Sequence, residues 1–246
     1  MEDRYHSLND STSSLSLEYI SPVWQPSLEW ESITEYHWQA LLTRRAITEN
    51  ATLLHVSQSD SSAVYVEPSV TYRDIVGLRA SAAVGSVPYR ALSALALIES
   101  SDGYWLLFER DSGDWPHSFE CPGGFVRAAH RFASVEEYIV GCLNREVSEL
   151  TIQKQWCIGY FDFASILEQM YVFRVQVKES AAQVRATYGA SVLMLSSAEV
   201  PTYTSGTTQA RLPLHFPSQK ALATVRSMMI GTALSDTVQL KTSPAT

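Results

Sequence analysis

The stretch CPGGFVRAAHRFASVEEYIVGCLNREVSEL, residues 121–150, constrains this chain more than any other. It opens on paired glycines, which permit a backbone turn whose carbonyl and amide groups no side chain obstructs. Ser134-Val135-Glu136-Glu137 then has the form of a helix start, with Ser134 accepting from the Glu137 amide while Glu137 reaches back. Val135, Tyr138, Ile139, Cys142, Val147 and Leu150 recur at threes and fours and predict one buried stripe. The same spacing predicts Glu146 and Glu149 as neighbours on another stripe, with Arg145 bridging to Glu149. On the helix alone these charges are also what a solvated face carries. A turn lending a carbonyl oxygen beside a helix lending two carboxylates is, however, hard-oxygen chemistry suited to Mg²⁺ or Mn²⁺.

Around this stretch the pattern alternates between strands and helices without regular βαβ order. The run 32–47 has helical spacing after a Ser32-x-x-Glu35 pair that predicts a capping box. ATLLHVSQ and SAVYVEP, separated by SDSS, predict a hairpin, and a short helix is expected within SVTYRDIVGLRAS. RALSALALIES and YWLLFERD flank a tight turn, and SFECP is a short strand running into the glycines. QWCIGYFDF, EQMYVFRVQVKE and ASVLMLSS predict three more strands, and residues 218–234 a last helix. This order predicts an α+β chain, an α/β/α sandwich on a mixed sheet. The expected division is a disordered tail over 1–17, an N-terminal extension of helix plus hairpin over 18–85, a core domain over 86–232 and a flexible tail over 233–246.

Composition excludes several classes. Eighteen basic against 26 acidic residues give a net charge of -8 with no Lys/Arg cluster, which speaks against tracking a nucleic-acid backbone. The start of the chain is polar and acidic and no long apolar run follows, so the expectation is a soluble, cytoplasmic protein with no membrane partner. Cys121, Cys142 and Cys157 are odd in number and lack CxxC spacing, hence free thiols. His117 and His130 flank the glycine turn, where loop histidines are more often solvent-facing than catalytic. GTTQAR lacks the Walker pattern and is read as a polar loop.

With those residues in view, the stretch resembles the box of the Nudix hydrolases, G-x5-E-x7-R-E-U-x-E-E-x-G-U. Gly123 and Gly124 match the opening glycines, Glu137 is followed by seven residues and then Arg145-Glu146, Val147 matches U, and Glu149 matches the first of the final glutamates. Twelve residues instead of five separate Gly124 from Glu137, and Leu150, Ile152 and Gln153 replace the last glutamate, the glycine and the closing aliphatic. Tyr72, Asp74 and Gly77 faintly resemble the region before the core in the branch that cleaves UDP-sugars.

The resemblance implies a Nudix-like mixed sheet and metal-assisted attack of water on an organic diphosphate, the substrate being a small molecule. Carried over, Glu146 and Glu149 are metal ligands, Gly123 lends its carbonyl, and Arg145 orients Glu149. Glu137 is a possible further ligand, and Glu168 a possible extra ligand or base. With Leu150 in place of a carboxylate, the Mg²⁺ or Mn²⁺ is expected to bind weakly until substrate phosphates complete its shell. Two alternatives stay open. One is a repurposed Nudix fold that takes an apolar metabolite such as an isoprenoid or polyketide, with Glu146, His130 or Asp162 as acid–base groups. The other is a non-enzymatic interaction protein.

Overall fold

The computed structural model describes residues 4–8, 14–22, 28–43, 49–60, 62–80, 89–110, 118–204 and 217–224. Its elements are β1 (Arg4–Ser7), β2 (Ser16–Tyr19), α1 (Leu28–Leu42), β3 (Thr52–Ser59), β4 (Ala63–Thr71), α2 (Tyr72–Ala80), β5 (Ala91–Glu99), β6 (Trp105–Glu109), β7 (Phe119–Glu120) and β8 (Gly123–Phe125). There follow α3 (Val135–Glu146), β9 (Ile152–Phe163), β10 (Glu168–Val177), α4 (Ala181–Tyr188), β11 (Val192–Leu195) and α5 (Val200–Thr204), with residues 217–224 also helical.

The strands make one mixed sheet with a main path β1-β9-β10-β5-β3-β4-β2. β10 runs parallel to β5 and β2 parallel to β4, and the other pairs are antiparallel. β5 is its spine. Every residue from Ala91 to Ile98 is buried, as expected of a strand covered on both faces. One edge of β5 carries β10, and the other is divided in sequence among β3, β8 and β6. The glycine strand β8 therefore sits in a fork of the sheet, seated on Ala94 and Leu95.

Layers of helix cover both faces. Val135, Tyr138, Ile139, Cys142 and Leu143 of α3 and Val184 of α4 join Leu92, Ala94, Ala96, Tyr171 and Phe173 in the larger core. Leu95, Leu97, Met170 and Val172 look the other way, onto Val200 of α5 and onto Ala221 and Leu222. A third cluster joins Ile75 and Leu78 of α2 to Leu53, Val70 and Tyr89. α1 crosses α2 closely, since a Cβ on Gly77 would lie 2.3 Å from the Thr34 Cα. This is the α/β/α arrangement on a mixed sheet that the element order predicts.

Two local expectations are corrected. Within the segment read as a disordered tail, Arg4–Ser7 pairs with β9 and Ser16–Tyr19 with β4. Leu15 and Leu17 are the reason: they alternate with polar residues and sink to 1% and 6% exposure in the larger core. The helix expected from Ser32 begins at Leu28, which leaves Ser32 inside it and not at its N-cap. Trp30, Thr34 and Trp38 recur at fours on the inner side, so the buried stripe starts two residues ahead of Ser32. Residues 225–246, including most of the last expected helix and the C-terminal tail, lie outside the described residues, as do Ala46, His117 and GTTQAR. Among the described residues no helix is long and apolar enough to cross a membrane.

Candidate functional site

α3 starts as its sequence predicts. Ser134 is the N-cap, in extended conformation, and its Oγ accepts from the Glu137 amide at 3.1 Å. Glu137 reaches back one residue further than a capping box does, accepting from the Ala133 amide at 2.6 Å. Its carboxylate thus serves the helix start. Nine residues at 1.5 Å each separate Glu137 from Glu146, roughly 13 Å along the axis, so the fold gives Glu137 no share in a site at the other end.

That other end departs from expectation. α3 stops at Glu146, and Val147 caps it with its amide on the Leu143 carbonyl at 2.9 Å. Residues 148–150 turn away from the helix axis, the Leu150 amide bonding to the Val147 carbonyl at 3.0 Å. Val147 is buried and Leu150 packs against the same core, which bends the chain toward the start of β9 at Ile152. Glu149 is therefore an exposed turn residue, not a helical neighbour of Glu146. Arg145 pairs instead with Glu146, Nη2 to Oε1 at 2.8 Å.

Glu146 itself meets the glycine turn: its Oε2 accepts from the Gly123 amide at 3.2 Å. The contact is made through the N–H of Gly123, where the sequence reading assigned the carbonyl. Only glycine suits this seat. Gly123 has φ 139° and a Cβ there would stand 2.2 Å from the Ala94 carbonyl oxygen, while Gly124 has φ 142°. The approach to the turn is fixed from behind by the Cys121 amide, which donates to the buried Ser218 Oγ at 3.0 Å.

Facing Glu146 is a residue that the sequence reading missed. Glu120, on the short strand β7, has a side chain 19% exposed and takes a 2.6 Å hydrogen bond from Arg110 Nη1. Burial pushes its carboxyl from 4.5 up to about 7; Arg110 opposes the rise and the charge of Glu146 adds to it. Phe108, Glu109, Arg110, Glu120, Gly123 and Glu146 line a cleft of about 310 Å³. The signal for Glu120 was present in SFEC: Phe119 enters one core, so its neighbour must face the other side, directly ahead of the glycines.

Among the described residues no group of three or more His, Cys, Asp or Glu is arranged to hold a metal ion. The pair Glu120 and Glu146 does fit one hard cation. Two carboxylates with substrate oxygens and water suffice for Mg²⁺, and a cation would offset the burial that raises the Glu120 carboxyl and the charge of Glu146 that adds to it. Among the described residues lining the cleft, Glu109 is the one further carboxylate.

The remaining candidates lie elsewhere. Glu168, read as a strand-edge charge or an extra ligand, is 7% exposed; it accepts from the Ser93 hydroxyl and pairs with Arg79 at 3.4 Å. Asp162 pairs with Arg90 on the β9 side of the sheet. His130 is exposed near the ring of Phe132, 6.3 Å away.

No family model matches this chain, and no curated protein matches it. Solved structures do. MutT from Aliivibrio salmonicida and Vibrio cholerae is 19% identical over 55% of this chain and 96% of its own, at a TM-score of 0.38. NrtR from Shewanella oneidensis is 16% identical over 58% of this chain and 64% of its own, at 0.40, and has also been solved with a 27mer DNA. A Nudix hydrolase from M. smegmatis, RenU, is 16% identical over 58% and 86%, at 0.34. At that distance the reading of the site rests on its own residues. In its glycine turn and in Arg145-Glu146 at the end of α3, the chain resembles the box of the Nudix hydrolases.

Proposed function

We propose that the chain is a divergent Nudix-type hydrolase that cleaves an organic diphosphate, a nucleoside diphosphate linked to a second group or a prenyl diphosphate, in the cleft between β7, β8 and α3. The observation that carries this reading is Glu146 held on the Gly123 amide across from the half-buried Glu120, with Arg110 beside it. A small molecule is the substrate assigned, since three carboxylates line the cleft against one arginine and the net charge is -8.

In this reading Glu146 and Glu120 hold one Mg²⁺ or Mn²⁺, which when bound neutralises phosphate oxygens and makes water more acidic. Arg145 keeps the Glu146 carboxylate turned to the cleft. Arg110 can exchange its partner Glu120 for a phosphate oxygen, since guanidinium binds both groups through the same pair of N–H donors. Glu120, once released from Arg110, keeps one oxygen for the cation and offers the other to the proton of the attacking water. Glu149 has no part in this scheme.

Diphosphate cleavage of nucleotide sugars, dinucleotides and prenyl diphosphates, read as the phosphomonoester products separated by chromatography, with Mg²⁺ or Mn²⁺ and with chelator, tests the proposal. Turnover that needs the metal and is lost in Glu146→Gln supports it; turnover equal in the variant sinks it. The second reading, a repurposed fold taking an apolar metabolite without hydrolysis, draws on Glu149 standing outside α3 and on Leu150 packed into the core. Absence of any cleavage across the panel would move the search to such ligands.

A further inference from the structure

We propose that residues 14–19 are a strap whose hold on the start of α3 sets where that helix stands against the glycine turn, and that the contact of Ser14 with Glu136 is its latch. The Leu15 amide donates to both oxygens of Glu136, at 3.2 and 3.1 Å, and the Ser14 hydroxyl donates to Oε2 at 2.9 Å. The backbone is stitched alongside. The Val135 amide bonds to the Leu15 carbonyl at 3.1 Å, the Leu17 amide to the Ala133 carbonyl at 2.9 Å, and Ser16 bridges to Ser134. Tyr19 closes the seam, its hydroxyl donating to the Phe132 carbonyl at 3.3 Å and accepting from the Phe132 amide at 3.1 Å. Arg131 lies over its ring at 5.1 Å.

The strap is anchored on its other side by β4, with which β2 runs parallel, and below by Leu15 and Leu17, which share the core of Val135, Tyr138 and Ile139. α3 is thus gripped at one end by the strap and at the other by the bond of Glu146 to Gly123. α3 is short and held at both ends, so a weaker grip at Glu136 lets the helix open more often along its length and loosens Glu146 on the turn. The latch is sensitive to charge. Ser14 is exposed, and a negative group on its oxygen, as in a phosphate ester, would face the Glu136 carboxylate and replace attraction with repulsion. The consequence for catalysis rests on the hydrolase reading above; the strap itself does not.

Amide hydrogen exchange on the full chain, compared among wild type, Ser14→Glu and Ser14→Glu/Glu136→Lys, tests the inference. Loss of charge-assisted hydrogen bonds predicts exchange about tenfold faster in Ser14→Glu at Leu15 and Val135 and onward through α3 to Glu146. The double variant, which restores opposite charges, should return most of that protection. Glu136→Gln, a milder change that keeps the shape, should show the same pattern at roughly threefold. Faster exchange confined to 14–19, or no change at all, overturns the proposal. If α3 loosens as expected while wild type and variants alike cleave no diphosphate, the strap stands and the hydrolase reading falls.

Discussion

Glu146 and Gly123, 23 residues apart, meet through a 3.2 Å hydrogen bond from amide to carboxylate that joins the end of α3 to the glycine strand. Glu146→Gln keeps the acceptor oxygen and removes the charge. It is expected to leave the melting temperature within a few degrees of wild type and to lower diphosphate cleavage about a hundredfold or more, the scale of losing a group that stabilises charge in the transition state. Calorimetry alongside the kinetics of diphosphate cleavage separates the two effects.

Gly123→Ala should behave in the opposite way. Its Cβ would press on the Ala94 carbonyl at 2.2 Å while the backbone stays at φ 139°, so the variant is expected to lose about 3 kcal/mol or more of stability. Denaturant unfolding monitored by tryptophan fluorescence measures it. A loss below about 1 kcal/mol would mean that β8 can leave its seat on β5.

The Glu120 carboxyl gives the fold a pH dependence of definite sign. Its value in the folded chain, about 7, lies above the ordinary 4.5, so the folded form binds the proton more tightly. That contribution is fully present below about 4.5 and is lost as pH rises through about 7. Stability should fall between pH 5 and pH 8 by on the order of 2 kcal/mol, and Glu120→Gln should flatten the curve. A slope of the other sign would show Arg110 prevailing over burial.

Leu150→Glu restores the carboxylate of the family box on paper. Residue 150 stands in a turn beyond α3 and its side chain packs on the core with Val147, so the expected outcome is a loss of about 1–3 kcal/mol and no gain in metal affinity or turnover. Titration with Mn²⁺ and an activity assay decide the matter. Tighter Mn²⁺ binding in the variant would mean that the helix extends to 150 when metal is present.

Arg145→Ala removes a side chain that is two-thirds exposed and pairs with Glu146. An exposed pair contributes about 0.5 kcal/mol or less, so stability should hardly move, while cleavage should fall roughly tenfold through a freer Glu146. Unfolding midpoints and steady-state rates, read together, check both halves.

The strands and the start of α3 were legible because each is fixed by near neighbours. Ser134 and Glu137 are three residues apart, and β10 alternates cleanly between faces. The end of α3 was not. Periodicity carries Val147 and Leu150 forward as helical positions, yet both are also what a chain needs to turn inward before β9, and packing against Ile152 decides between the two. Glu168 looked like an edge charge because its partners, Ser93 and Arg79, are 75 and 89 residues away in sequence. Glu120 escaped notice for a related reason: its burial comes from β6 and α3 closing around it. The two N-terminal strands were hidden by composition, since a Ser-rich segment with two inward leucines reads as a tail until a groove exists to receive it.

The twelve residues between Gly124 and Glu137, against five in the family box, have a use of their own. Arg127 bridges to Leu53 on one side and Ser134 to Ser16 on the other, so the added length serves as a splice between the hairpin, the N-terminal strand and the helix. Shortening this link to the family spacing would remove the joint where three otherwise separate parts of the chain are sewn together. The departure from the motif is thus an architectural investment, and lineages sharing the long link should be expected to share the N-terminal strand as well.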